Sequence, residues 1–245
     1  MSYPSDFTNK IHELISRAEA IDLAPRLEPG IPKWPTHPHL IIDPTVNHEH
    51  DGYACQCLML PEHAGCHVDA PFHNHAGLCS VDELEVTCLI GPAVVYDFAP
   101  LVLGPGDLIT AAMIRDYEAE HNVAVGEGEI ALINFGWMAR YWRADNHAQW
   151  YANNSPGMAE DAAILFKERN IKAIGADTVA VEIAIVDGVA GPAPGHLKHW
   201  LPNNILIIEM LTNLDKLGLR SYFVAAPLPI INGSGSPLRP IGFRA

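Results

Sequence analysis

Positive charge is scarce in this chain. Lys and Arg together supply 15 of 245 residues against 29 Asp and Glu, for a net charge of −14, and neither occurs between Lys33 and Arg115. A field of that sign repels nucleic-acid backbones and anionic membrane surfaces, so neither is an expected partner. Continuous apolar stretches such as Ile205–Ile208 and Phe223–Ile230 are far too short to cross a bilayer. No apolar segment follows a basic start, so secretion is not expected. The five cysteines, at 55, 57, 66, 79 and 88, form neither an even framework nor paired CxxC halves. That usage predicts a reduced, cytoplasmic setting. There is no GxGxxG, no P-loop and no GxSxG elbow, and Ser234 and Ser236 sit in a Gly-rich turn without the pattern of a nucleophile.

Apolar residues make up 49% of the chain and charged ones 18%, a globular balance at a mass that allows a sizeable core. Twenty prolines and nineteen glycines predict many irregular crossings, yet no Pro/Gly/Ser tract is long enough to be a linker. Thr8–Ala20 has the apolar spacing of a short amphipathic helix, through Ile11, Leu14, Ile15 and Ala18. Ile21–Leu23 can begin a strand, and Pro25 to Pro38 reads as an irregular arm carrying Trp34. Further strands are predicted at Tyr53–Leu60, Ile90–Phe98, Glu129–Phe135, Ile171–Asp177, Ile205–Glu209 and Tyr222–Pro227. Helices are predicted at Thr110–His121, with a Thr cap, and at Ser155–Glu168, with Pro156 in first position. Strands and helices alternate without a break in composition, which predicts one mixed α/β domain over 1–245.

The chemistry is concentrated in His63-Ala-Gly-Cys-His67-Val-Asp69-Ala-Pro-Phe-His73. Its three imidazoles and its carboxylate all sit at odd-numbered positions. In a strand alternate residues share a face, so His67 and Asp69 point together, His63 joins them directly or across a turn at Gly65, and Pro71 re-aims His73. Imidazole nitrogen and carboxylate oxygen suit Zn²⁺, Mn²⁺ or Fe²⁺. The plain alternative is polar surface, since 13 histidines make some clustering a matter of chance; His37/His39 and His48/His50 read as such pairs. Against it, imidazoles packed among Gly, Pro and aliphatic residues need partners that these neighbours cannot supply. Cys66, at an even position, points away from the cluster in an extended strand.

These residues resemble the HxGTHxDxPxH signature of the cyclase-like metal-dependent hydrolases, which include bacterial kynurenine formamidases and isatin hydrolases; six of its seven fixed positions match. The likeness extends through Asp22-Leu-Ala24, Trp34-Pro35, Gly175-Ala-Asp177-Thr178, His196, Glu209-Met-Leu-Thr-Asn213-Leu214 and Gly235-Ser-Pro-Leu-Arg239. It implies a mixed-sheet cyclase-like fold of the swivelling β/β/α type. It also implies His63, His67 and Asp69 as metal ligands, His73 as general acid/base, and a second ion shared by Asp69 with His196 and Glu209. One or two divalent ions per chain, Mn²⁺ or Zn²⁺, are therefore expected. The interval from His196 to Glu209 looks one residue longer than the family pattern, which makes His199 a rival ligand. With a single ion, His196 would contact substrate instead.

Cys66 stands where the family has Thr, and Thr178-Val-Ala-Val-Glu182 replaces the familiar Thr-Pro-Ser-x-Asp. Trp34 and Phe72 are the substrate-binding candidates, Trp34 because relatives bring an aromatic residue from the arm to the pocket; Trp137, Tyr141 and Trp142 are weaker ones. The N-terminal helix and arm, 1–38, are expected to help form a homodimer or homotetramer. The expected reaction is hydrolysis of a small formamide, lactam or imide by metal-activated water. A lactone hydrolase, a lyase or isomerase, and a non-catalytic metal-binding protein are the alternatives.

Overall fold

A computed structural model describes residues 5–245, and Met1–Pro4 of the N-terminal helix and arm, 1–38, lie outside the described residues. Nine strands form one mixed sheet: β1 Glu19–Asp22, β2 His67–Asp69, β3 Leu89–Asp97, β4 Ile130–Asn134, β5 Ala173–Ala176, β6 Leu206–Glu209, β7 Arg220–Ala225, β8 Gly235–Pro237 and β9 Ile241–Arg244. Their order is β1-β9-β7-β3-β4-β5-β6-β2-β8. The centre, β3-β4-β5-β6, is parallel, and every pairing outside it is antiparallel.

The central strands are largely apolar because both faces are covered, with Asp97, Asn134 and Glu209 confined to their C-terminal ends. Ala131 and Ile133 of β4 face one core with Tyr96, Ile174 and Ile207, while Ile130 and Leu132 face another with Val95, Leu206, Ile208 and Phe223. Helices α2 (Ala111–His121) and α3 (Glu160–Glu168) cover the first face through Ile114, Tyr117, Ala162 and Phe166. Thr110 caps α2 as predicted, accepting from Met113 N. Arg169, just after α3, pairs with Glu118 of α2, and Glu118 also accepts from Tyr96 OH at 2.6 Å.

Three elements depart from the predicted bounds. Helix α1 is Ser5–Arg17 rather than Thr8–Ala20, because Glu19–Asp22 is recruited as an edge strand against β9. The predicted helix at Ser155–Glu168 begins only at Glu160, since Gly157–Met158 pairs in parallel with Leu108–Ile109. The predicted strand Tyr53–Leu60 is present as Cys55–Met59, but it stands off the main sheet in a two-stranded ribbon with Ile41–Val46. Pro44 lies at an irregularity in that ribbon, consistent with its missing N–H.

Candidate metal centre

Strand β2 places the cluster. Val68 points into the second core with Cys66 and Ala70, so His67 and Asp69 must project from the opposite face. The register sets Glu209 directly across from His67, and Ile207 across from Asp69. Direct partners share a face, so Glu209 rises beside the two β2 side chains. On the other flank β8 sets Gly235 across from Asp69. A Cβ there would come within 2.6 Å of His63 Cε1 and 2.7 Å of Val68 O, so the bare glycine is what admits the His63 ring.

His196 arrives from a π-helical turn, Gly195–His199, closed by Trp200 N bonding to Gly195 O. A π turn takes one more residue per hydrogen-bonded loop than an α turn, and such turns recur at functional sites. It accommodates the long interval between His196 and Glu209 while turning His199 away. His199 Nε2 meets the exposed Glu160 at 3.1 Å, so His199 does not reach the cluster.

Two groups of potential donor atoms result, His63/His67/Asp69 and Asp69/His196/Glu209, each with its atoms within 4.8 Å of one another. All five residues are buried, and Asp69 belongs to both groups. Oδ1 of Asp69 lies 2.7 Å from His63 Nδ1 and 3.4 Å from His67 Nε2, whereas Oδ2 lies 3.2 Å from His196 Nε2. Glu209 approaches His67 Nε2 at 3.3 Å and His196 Nε2 at 3.4 Å.

The outer ring nitrogens fix what the inner ones present. His67 Nδ1 donates to Gly65 O at 2.8 Å, and His196 Nδ1 donates to Glu182 Oε1 at 2.8 Å. Ser234 gives its hydroxyl proton to Glu62 at 2.6 Å and so accepts from His63 Nε2 at 2.8 Å. Three inner nitrogens without hydrogens then face two carboxylates, an arrangement that repels unless a cation lies between them. Glu209 Oε1 is moreover buried without a hydrogen-bond partner among the described residues. This donor set fits a divalent cation of the N/O-preferring kind.

Without metal, protons are the cations. Burial alone would lower His67, but Asp69 and Glu209 push it up to about 10. Burial likewise opposes the charge on His196, and Glu182, Asp69 and Glu209 raise its pKa well above the usual imidazole value. Burial would raise Asp69, yet the surrounding imidazoles hold it well below the carboxylate range. His73, on the 3₁₀ turn Pro71–His73, differs: burial lowers its pKa and outweighs the pull of Asp69, leaving a neutral imidazole at pH 7.

A cavity of about 250 Å³ opens on the cluster, lined by His63, His67, Asp69, His73, His196 and Glu209 together with Trp34, His37, Val179, Ala180, Glu182 and Ile183 among others. Trp34 therefore reaches the cavity. Phe72 does not line it, because successive side chains of a 3₁₀ turn diverge by about 120° and His73 takes the inward direction. Cys66 lies on the far face, where burial pushes its thiol pKa up, and it belongs to neither group of potential donor atoms. Trp137 is core, donating to Tyr151 O, and Tyr141 and Trp142 pack against that core. Asp177 is also internal: its carboxylate accepts from Phe135, Trp137 and Met138 backbone N–H groups. A larger groove of about 570 Å³ between α2 and Leu214–Leu219 shares no residue with the cluster.

Sequence reasoning missed four residues here. His37, set aside as a chance pair, brings its ring to 5.4 Å from His63. Glu182 was visible only as a departure in its segment. Glu62 and Ser234 carried no signal, since Ser234 is 171 residues from the histidine that it orients.

A buried cluster of two carboxylates and three imidazoles at the edge of a mixed α/β sheet, beside a small cavity, defines a candidate metal-dependent enzyme. The chain belongs to the Cyclase family, whose model matches residues 21–183. It is 32% identical over 213 residues to the isatin hydrolase of Roseibium aggregatum, across 82% of this chain and 80% of that one. It is 27% identical over 223 residues to the kynurenine formamidase of Geobacillus thermodenitrificans, across 89% and 94%. A crystal structure of an isatin hydrolase bound to the product analogue thioisatinate superposes with a TM-score of 0.84 at 28% identity, covering 100% of this chain and 99% of that one.

Proposed function

We propose that this protein is a metal-dependent hydrolase of a small amide C–N bond, in a formamide, lactam or imide. The observation that carries the reading is the convergence of His63, His67, Asp69, His196 and Glu209 on one point beside a cavity that also presents the neutral His73. The kinship with isatin hydrolase and kynurenine formamidase supports the same bond class. The cavity, about 250 Å³, lies just below the usual range for ligand pockets and suits a compact substrate rather than a polymer.

His63, His67 and Asp69 would hold one divalent ion, Mn²⁺ or Zn²⁺, and Asp69, His196 and Glu209 a second. When bound, such an ion supplies Lewis-acid polarisation of the scissile carbonyl and acidifies water. The protein's own part is to move protons and exclude solvent. His73 takes the proton from the attacking water at a ring nitrogen and returns it to the leaving nitrogen, a task matched to an imidazole that is neutral at pH 7. Trp34 packs against the apolar body of the substrate, and Val179, Ala180 and Ile183 keep the opposite wall dry.

The protein acts as a homodimer or homotetramer in the cytoplasm. Phe7, Ile11, Leu14 and Ile15 of α1 are exposed, as are Ile41, Leu58 and Met59 of the ribbon, and a second copy would bury them. The five free cysteines fit a reducing compartment.

A panel of aryl formamides, isatins, hydantoins and unsaturated lactones, assayed with Mn²⁺ or Zn²⁺, tests the activity. One amide class should turn over with kcat/KM above about 10⁴ M⁻¹s⁻¹. Turnover of lactones alone would replace the amide reading with an ester one. A product without solvent ¹⁸O would make the protein a lyase or isomerase.

A further inference from the structure

Glu182 is only 1% exposed, and it is bound to a single residue twice. Its Oε1 accepts from the backbone N of His196 at 2.9 Å and from the ring Nδ1 at 2.8 Å. Its Oε2 is buried with no hydrogen-bond partner among the described residues. A charged carboxylate so placed is costly to bury, and both of the bonds it does make, through Oε1, fix the one residue His196. His75 Nε2 adds a third restraint, donating to His196 O at 2.9 Å. With backbone and ring both held, flipping the imidazole would set Cδ2 against Glu182 and present Cε1, instead of Nε2, to the cluster.

We propose that Glu182 is the positioning residue for His196: it fixes the tautomer and orientation in which a bare Nε2 faces Asp69 and Glu209, and thereby creates the second cation place. This extends the metal-centre reading given above and rests on it. The two places differ in their dependence. His63 is held by Ser234 and His67 by Gly65 O, so an ion among His63, His67 and Asp69 owes nothing to Glu182. An ion among Asp69, His196 and Glu209 depends on it directly. Carboxylates that orient a ligand histidine typically carry about 10- to 100-fold of metal affinity.

The test is a Zn²⁺ titration of the chelator-stripped full chain against a chromophoric competitor, for wild type, Glu182→Gln and Glu182→Ala, with circular dichroism on each sample. The wild type should take two ions. Glu182→Gln should keep the first and bind the second about 10- to 100-fold more weakly, and Glu182→Ala should lose the second altogether. A Glu182 that merely fills space predicts wild-type affinity in the isosteric Gln variant, and that result overturns the proposal. So does a wild type that binds one ion only, although the hydrolase reading survives it. If Glu182→Ala fails to fold, the Gln variant alone decides. Absence of any ion in the folded wild type defeats the metal-centre reading instead.

Discussion

Glu209 and His67 stand directly opposite each other on antiparallel β6 and β2, and the register brings a carboxylate oxygen to 3.3 Å from Nε2. The pair joins two segments of very different legibility. His67 belongs to a local motif, whereas Glu209 ends a strand that is otherwise apolar and buried. One slipped residue in that pairing would turn Glu209 into the second core and leave His67 facing Ile208. The centre is thus as exact as the strand register beneath it.

Proton transfer and metal binding should separate at His73. His73→Ala should keep its metal and lose kcat by a factor on the order of 10²–10⁴, the usual worth of a placed acid/base group. His67→Ala should lose both metal and activity. Steady-state kinetics with elemental analysis on the same samples checks this, and loss of the ion from a folded His73→Ala would make His73 a ligand.

The metal-free protein should be sensitive to alkali. His67, pushed up to about 10 against an ordinary value of 6.5, contributes stability that is fully present below pH 6.5 and is lost as the pH rises through about 10. Tm of the stripped protein should therefore fall between pH 7 and pH 10, and saturating metal should flatten the decline. Metal uptake at pH 7 should also release protons. Calorimetry in buffers of different ionisation enthalpy measures that release, and a value of zero would contradict the protonated cluster.

Gly235 should tolerate no side chain. The added methyl of Gly235→Ala meets His63 and the Val68 carbonyl, so the strand or the ring must give way. A loss of about 1–3 kcal/mol in stability, with weaker metal binding, is the expected outcome in denaturant titrations and metal titrations.

Cys66→Ala should leave the metal content unchanged, because the thiol faces the second core with Val68 and Ala70. Its cost should be confined to packing, about 1 kcal/mol. Loss of an ion from this variant would place the thiol among the ligands.

Much of the fold was legible where periodicity is strong. Ile130–Asn134, Leu206–Glu209 and the Thr110-capped helix fall within the predicted segments. Strands β8 and β9 were not seen, since Gly235–Pro237 is three residues containing Gly and Pro and depends wholly on its partner β2. The local part of the centre was readable because alternate residues of one strand share a face. His196 and Glu209 came through family likeness, and Glu182, Ser234 and His37 could not be placed before the chain was folded. Their roles are set by tertiary contacts that no spacing encodes.

Metal analysis of Asp69→Ala tests the account most directly, because Asp69 is the one residue common to both donor groups. Wild-type protein reconstituted with Mn²⁺ or Zn²⁺ should hold at least one ion per chain, and folded Asp69→Ala should lose most of it together with amide hydrolysis. A folded Asp69→Ala that keeps stoichiometric metal and wild-type turnover would contradict the account.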